Sequence, residues 1–203
     1  MADKYPNFAA LALAEGKSGA FSIAVHDAGT SIVIAAPHGG GIERGTSEIA
    51  TAIAAGDLSY YLFEGHKSDG NAELHITSST FDEPECLKLL QAATSVLTVH
   101  GECSNHEVVY LGGRDKTAQV RIRDSLEEQG FAVGVHASSE LQGIHPRNIC
   151  NVGTSGAGVQ LELSLGLRRS FFASLKRKGR QKPTPRLAQF AAAIRSALLP
   201  SGL

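Results

Sequence analysis

The chain has 203 residues, of which 42% are hydrophobic and 19% are charged, as in an ordinary globular protein. No apolar run approaches the roughly 20 residues that span a bilayer, and the opening MADKYPNF lacks the features of a signal peptide, so we expect a cytoplasmic protein. Three scattered cysteines exclude a disulfide framework and are expected to be reduced thiols: Cys86, Cys103 and Cys150.

The net charge of −1 hides an uneven distribution. All 20 acidic residues lie in 1–162 beside ten Lys and Arg, which gives −10, whereas nine Lys and Arg and no acid follow Glu162, which gives +9. We predict one domain, 1–203, with a basic C-terminal segment at 163–203. That segment is either a solvated surface or a region that attracts a polyanion, and an acidic polymer and a nucleic acid both fit.

The first predicted elements are two β-rich runs, 21–27 and 31–36, which a Gly-containing turn joins as a hairpin. Helical spacing follows at 46–55, with Thr46 as a candidate N-cap. The later strands are expected at 59–65, 73–78, 95–101, 107–113, 131–137 and 158–166, and the later helices at 82–93, 114–129 and 185–199. This alternation predicts an α/β domain built on a mixed sheet.

Chemically useful residues follow the ends of two buried runs. His38 comes after SIVIAA and His100 ends SVLTVH, and open α/β sheets form their sites outside the carboxyl ends of strands. Glu43 is separated from His38 by the glycines 39–41, which would let the loop fold back. A tight turn and a phosphate loop are alternatives, but the segment lacks the GK[ST] of a P-loop. Two imidazoles and a carboxylate with one open position are typical of catalytic zinc.

A hydrolytic zinc site also needs a base, and Glu162 is the candidate. It lies on the polar face of the alternating run GVQLELSLG, where a surface salt bridge is the simpler interpretation. As a base it would take the proton of the attacking water and pass it to the leaving amine.

Four segments in order resemble the phage-type poly-γ-glutamate hydrolases, a zinc-dependent group similar in fold to zinc carboxypeptidases: 36–50 (APHGGGIERGTSEIA), 73–87 (ELHITSSTFDEPECL), 99–115 (VHGECSNHEVVYLGGRD) and 158–168 (GVQLELSLGLR). The likeness covers roughly residues 20 to 175. It implies a three-layer αβα sandwich, one Zn²⁺ and cleavage of γ-glutamyl amide bonds.

The resemblance implies His38, Glu43 and His100 as zinc ligands and Glu162 as general base. Carboxypeptidases place His and Glu closer together, so Glu48 remains the competitor of Glu43. Within or beside the matched segments, the candidates for substrate binding are His75, Arg114 and Arg168, to which we add Arg147. Arginine suits a substrate carboxylate because its planar fork meets both oxygens, although a surface ion pair or a core histidine is the simpler role for each.

The expected function is hydrolysis of poly-γ-glutamate by a zinc-activated water with a Glu base, in a protein that is a monomer and has no membrane partner. One alternative is an amidohydrolase or carboxypeptidase acting on small N-acylated acidic amino acids or peptides. A different class is a nucleic-acid-binding protein that uses the basic segment, which the few aromatic residues of that segment disfavour.

Overall fold

The computed structural model describes residues 3–199, and its centre is a seven-stranded mixed sheet. The strands are β1 (Phe21–His26), β2 (Ile32–Gly40), β3 (Ser59–Gly65), β4 (Ser95–Gly101), β5 (Val108–Gly113), β6 (Ala132–Gly134) and β7 (Val159–Leu163). Their order across the sheet is β1-β3-β2-β4-β7-β5-β6. The central strands β3, β2, β4 and β7 are parallel, while β1 opposes β3, and β5, with β6 parallel to it, opposes β7.

Helices cover both faces of the sheet. They are α1 (Phe8–Glu15), α2 (Thr46–Ala54), α3 (Pro84–Ala92), α4 (Lys116–Glu128), α5 (Leu165–Ser170), α6 (Arg177–Arg180) and α7 (Pro185–Leu198). Because side chains alternate along a strand, Ile34 and Ala36 pack with α2, α4 and α7, whereas Val33 and Ala35 pack with α1 and α3. The predicted three-layer α/β arrangement around a mixed sheet is confirmed.

The predicted hairpin is wrong. β1 pairs with β3, from Phe21 opposite Gly65 to His26 opposite Tyr60, so β3 lies between β1 and β2. Five residues, 27–31, connect β1 to β2, and at about 3.3 Å per residue they can cross the two strand spacings of about 4.8 Å each. β2 is buried on both faces and takes parallel partners on each side.

The predicted strand at 73–78 is also absent: a short 3₁₀ turn, Asn71–Leu74, and an irregular segment occupy it. Side chains satisfy its backbone instead of a neighbouring strand, since the Ile76 carbonyl accepts from His38 and the Thr77 N–H donates to Asp3. Thr46 is the first residue of α2 rather than its N-cap, which is Gly45.

Strand direction determines which loops meet. The carboxyl ends of β2, β4 and β7, at Gly40, Gly101 and Leu163, lie at one edge of the sheet, which we call the carboxyl edge. β1 and β5 run the other way and end at the opposite edge. Among residues 3–199, no helix is long and apolar enough to cross a membrane.

Candidate metal centre

The glycine-rich turn after β2 brings Glu43 back beside His38. The pairing of β2 with β3 shifts register between Ala36 and Gly39, a bulge that re-aims the side chain of His38. Gly40 has a φ of +64°, and a Cβ on Gly39 would lie 2.0 Å from the Ser47 hydroxyl. The Glu43 N–H then donates to the His38 carbonyl at 2.8 Å, closing the turn as the sequence predicted.

Three candidate ligand side chains converge at the carboxyl edge. The Nδ1 of His38 lies 3.1 Å from the Nδ1 of His100 and 3.1 Å from Oε1 of Glu43. The His100 Nδ1 lies 3.7 Å from Oε2 of Glu43. Both histidines are almost completely buried. The structure therefore brings together the three residues predicted as ligands.

Hydrogen bonds to the other ends of these groups orient them. The His38 Nε2 donates to the Ile76 carbonyl at 2.8 Å, so Nδ1 is the nitrogen that faces Glu43 and would offer its lone pair to a metal once deprotonated. The Gly101 N–H donates to Oε2 of Glu43 at 2.9 Å. The His100 Nε2 lies 3.5 Å from the Ser78 hydroxyl. Partners of this kind commonly hold metal ligands in place.

The spacing of these atoms fits zinc. Bonds of about 2.0–2.1 Å at tetrahedral angles place two ligand atoms about 3.3 Å apart, close to the 3.1, 3.1 and 3.7 Å separations. The rings of His38 and His100 are inclined by 62°, so their in-plane lone pairs can meet. Two imidazoles and one carboxylate are a zinc donor set that leaves a fourth position for water or substrate.

His75 forms a second set of three with the same two residues. His38, Glu43 and His75 offer ligand atoms that all lie within 4.8 Å of one another. The His75 ring is stacked on the His38 ring, at 4.0 Å between centroids and 32° between planes. Because the His38 and His75 rings are nearly parallel, their in-plane lone pairs point in similar directions and do not meet at one point. His100, with Glu43 and His38, therefore forms the set whose lone pairs can converge on one metal ion. The His75 Nδ1 lies 2.7 Å from Oδ1 of Asp3, 72 residues away in the chain.

Glu162 lies on β7 directly beside His100 on β4. The amide Nε2 of Gln160 donates to Glu162 Oε1 at 2.9 Å, and Asn148 Nδ2 donates to Gln160 Oε1 at 2.9 Å. Asn148 therefore fixes which end of the Gln160 amide faces the carboxylate. Glu162 is a buried carboxylate at the site and not the surface ion-pair partner that was its simpler interpretation.

Burial and neighbouring charges shift the pKa values of these groups in different directions. Burial lowers the pKa of His100 to about 3, which keeps its ring neutral. For Glu43, burial is outweighed by the charge and hydrogen bond of His38, and its pKa falls to about 2. Burial, and then the charges of Glu43 and Glu102, raise the pKa of Glu162 well above its usual value. Ionisable groups with such divergent shifts are typical of functional sites.

A cavity of about 580 Å³ reaches the cluster from outside and is lined by Glu43, Gly101, Glu102 and Arg168, among others. Arg168 is 5% exposed, and its guanidinium donates to the backbone carbonyls of Leu163, Arg44 and Glu102. A guanidinium has five N–H donors, so two remain beyond these three bonds. Arg168 ties three loops of the carboxyl edge together and borders the cavity.

Comparisons with known proteins show which family the chain resembles over most of its length. The family model described as poly-gamma-glutamate hydrolase matches residues 5–193. The chain belongs to the poly-gamma-glutamate hydrolase family. Two solved structures superpose with a TM-score of 0.92 at 35% identity: a bacteriophage poly-gamma-glutamate hydrolase, with 97% of each chain covered, and a zinc-free apo form of YndL, with 100% of each covered.

Curated relatives in the family come from Bacillus subtilis (strain 168). YndL is 37% identical over 179 residues, and the SPbeta prophage-derived protein YoqZ is 39% identical over 180 residues. Each alignment covers 88% of this chain, but 70% of YndL and 65% of YoqZ. The chain thus spans about two thirds of the length of these relatives.

Two other candidate residues of this poly-gamma-glutamate hydrolase family member, Glu48 and Arg114, lie away from the cluster. Glu48 does not reach the cluster: its Oε1 accepts from Arg180 Nε at 2.7 Å, so Glu43 is the glutamate that the glycine turn delivers. Arg114, a predicted substrate-binding residue, does not lie at the carboxyl edge. It follows the end of β5, and its N–H donates to the Gly158 carbonyl before β7, which puts it at the opposite edge. The error arose because the sequence does not reveal that β5 is antiparallel.

Arg147 remains a candidate for substrate binding. It is exposed, on a loop whose Ile149 N–H donates to the Ser78 carbonyl, near His100. Sequence reasoning missed Asp3, Ser78, Asn148 and Gln160. Of these, only Gln160 carried a signal, because it shares the polar face of β7 with Glu162. Asp3 carried none, since it meets His75 only through the tertiary fold.

Proposed function

We propose that the protein is a zinc-dependent hydrolase that cleaves γ-glutamyl amide bonds of poly-γ-glutamate. His38, Glu43 and His100 would hold the ion, and Glu162 would be the general base. The observation that carries this proposal is the convergence of two histidine Nδ1 atoms and the carboxylate of Glu43, which lines a cavity, beside a second buried carboxylate. The family match and the zinc-free form named for YndL support both the substrate and the metal.

Bound zinc supplies Lewis acidity, which lowers the pKa of a water and polarises a carbonyl. Glu162 then accepts the proton of the attacking water and returns it to the leaving nitrogen, the double use of one carboxyl that acid–base catalysis allows. The pKa of Glu162 is raised here by burial and by the Glu43 charge. A divalent cation beside Glu43 would reverse the sign of that neighbouring charge and favour the ionised base.

Arg168 is the arginine best placed to support the reaction. Burial lowers the pKa of its guanidinium, and the nearby charges of Glu43, Glu102 and Glu162 offset only part of that lowering. With three N–H groups bound to carbonyls, its orientation is set before substrate arrives. Its two remaining donors would bind a substrate carboxylate or the developing oxyanion, a role for preorganised donors.

The first test measures bound metal and hydrolysis together. We expect about one zinc per chain, release of γ-linked fragments from poly-γ-glutamate, and loss of that activity with chelator that zinc restores. Glu162→Gln should keep its zinc and lose about 10²- to 10⁴-fold in kcat. Protein without stoichiometric metal, or activity indifferent to chelator, would contradict the proposal.

The same assay run with other substrates separates the alternatives. N-formylglutamate and α-linked polyglutamate are also acidic glutamate derivatives, but the amide to be cleaved and the position of the free carboxylates differ from those of the γ-linked polymer. Faster turnover of either compound than of the γ-linked polymer would favour a small-molecule amidohydrolase or a carboxypeptidase over the proposed activity.

A further inference from the structure

A second cavity adjoins the one at the metal centre. It measures about 480 Å³ and shares with the first cavity the lining residues Gly41, Arg44, Ser68, Asn71 and Leu175. Arg44, Lys176 and Arg177 contribute its exposed cations, and we call it the basic cleft. The two cavities are therefore continuous along the loop that carries Glu43.

The cations of the basic cleft are available to a ligand. Within residues 3–199, the side chains of Arg44, Lys176 and Arg177 make no ion pair or hydrogen bond. By contrast, Lys67 at the same cleft pairs with Glu15 and Glu73, and Arg180 pairs with Glu48. Glu64 is the acid of the lining that lacks a basic partner among the described residues, so the unpaired charges leave the cleft positive.

The fold holds these cations in place. Arg180 is buried, donates to Glu48 on α2 at 2.7 Å and to the Leu175 carbonyl at 2.9 Å, and so ties segment 175–180 to α2. Gly45, beside Arg44, also packs on this segment, since an added Cβ would lie 3.4 Å from the side chain of Leu175. Both walls of the cleft are thus anchored, so the backbone that carries the three exposed cations is in place before a ligand binds, and only their side chains must be ordered.

We propose that the basic cleft is a remote subsite for the free carboxylates of an acidic γ-linked polymer whose scissile amide lies at the metal centre. This inference rests on the proposed function. Such a polymer carries one free carboxylate per residue, so a chain in the first cavity continues into the second with its charges exposed. Among the lining residues of the cleft, none is Phe, Tyr or Trp, which disfavours the base stacking used by single-stranded nucleic acid.

The test compares two double variants of equal charge. K176Q/R177Q removes two cations of the cleft, whereas K178Q/K182Q removes two exposed cations of the same basic segment outside its lining. With the zinc-loaded enzyme, kcat/KM is measured on long poly-γ-glutamate and on a γ-glutamyl dipeptide. K176Q/R177Q should lower the polymer-to-dipeptide ratio at least tenfold, and K178Q/K182Q less than threefold. Equal effects of the two doubles would overturn the subsite in favour of general attraction.

Binding of fluorescein-labelled poly-γ-glutamate keeps the subsite testable if the proposed function fails. Should the wild-type enzyme hydrolyse no γ-glutamyl substrate, weaker polymer binding in K176Q/R177Q alone would still support the cleft as a polycarboxylate site. Equal binding by both doubles would overturn it. A labelled single-stranded DNA that binds more tightly than the polymer, and that K176Q/R177Q releases, would also overturn it, because the cleft would then be a nucleic-acid site.

Discussion

The two edges of the sheet use polar residues in different ways. At the opposite edge, polar groups close loops and helix ends: Asn151 accepts from the Arg114 and Gly158 N–H groups, and Asp115 caps α4. At the carboxyl edge, ionisable side chains contact one another instead. His38, His100 and Glu43 converge next to Glu162, and burial, followed by the charges of Glu43 and Glu102, raises the pKa of Glu162. Burial of mutually unfavourable charges is costly, and clusters of this kind are typical of functional sites.

Two histidines at strand ends test this contrast most directly. His100 ends its strand at the carboxyl edge, and His26 is the last residue of β1, at the opposite edge. We expect His100→Ala to lose zinc and at least about 10³-fold in kcat/KM, since losing even an outer partner of a ligand costs about 10- to 100-fold. His26→Ala should keep both. Metal analysis and hydrolysis assays on the two variants measure this difference. Equal zinc content in both variants would contradict the predicted contrast between the two edges.

Two neighbouring arginines, the buried Arg168 and the exposed Arg169, should contribute differently to stability. Arg168→Met leaves three carbonyls of the carboxyl edge without their donor and removes a cation that interacts with Glu43, Glu102 and Glu162. We expect it to lower the free energy of unfolding by about 3 kcal/mol. Arg169 is exposed, and among residues 3–199 its side chain donates to Asn105 alone, so Arg169→Met should lower the free energy of unfolding by less than about 0.5 kcal/mol. Urea denaturation of both variants measures the difference, and similar midpoints would contradict it.

Local patterns in the sequence were enough for most of the fold. Six of the seven observed strands match predicted apolar runs, and the seventh, β6, is shorter than its run. The strand predicted at 73–78 is wrong. The helices α2, α3, α4 and α7 follow from helical spacing and proline positions. Pairing was not predictable, because β1 pairs with β3 rather than with β2, the next strand in the chain, and no turn signal encodes that choice.

The residues of the site also fall into those that local sequence patterns predict and those that only the tertiary fold brings together. His38, Glu43, His100 and Glu162 could be found because each follows or occupies a strand of the carboxyl edge, and the glycines explain the return of Glu43. The choice of Glu43 over Glu48 came from a family resemblance, and the structure explains it by the Arg180–Glu48 ion pair. Asp3 beside His75, and Asn148 behind Gln160, are contacts between segments far apart in the chain, which only the folded structure brings together.

The pH dependence of stability tests the buried histidine of the carboxyl edge. Burial lowers the pKa of His100 to about 3, from about 6.5 in the unfolded chain. A group whose folded pKa is depressed stabilises the fold above its unfolded pKa, and this stabilisation is lost as the pH falls from about 6.5 towards 3. In metal-free protein, wild type should therefore lose about 2 kcal/mol between pH 8 and pH 5 relative to His100→Gln.

Subtracting the two unfolding curves removes most of what His38 and Glu43 contribute, since both proteins retain them. Chelator must be present throughout, because metal binding would stabilise wild type alone. A difference between the two proteins that does not change with pH would mean that His100 is protonated in the fold, and the carboxyl edge would then be less desolvated than its burial indicates.

Two buried glutamines compare positioning with packing. Gln160 donates to Glu162 at the carboxyl edge, and Gln119 donates to the Gly113 carbonyl at the opposite edge. Gln160→Met should lower kcat about tenfold with little change in KM and with zinc retained, because Glu162 loses the donor that orients it. Gln119→Met should leave kcat unchanged. A rise in KM with constant kcat for Gln160→Met would show that the amide contacts substrate rather than positioning the base.

Two exposed arginines give the smallest effect and the finest comparison of the edges. Arg147 lies on the loop that reaches Ser78 and the carboxyl edge, while Arg114 lies beyond the antiparallel β5 at the opposite edge. An exposed cation facing a substrate carboxylate contributes about 0.5–1 kcal/mol, so Arg147→Ala should raise the KM for poly-γ-glutamate about two- to fivefold, more at low salt than at high salt. Arg114→Ala should leave KM within twofold at every salt concentration. If Arg114→Ala instead raised KM more than Arg147→Ala did, the polymer would have to reach the opposite edge, and strand direction would no longer account for where this protein binds substrate.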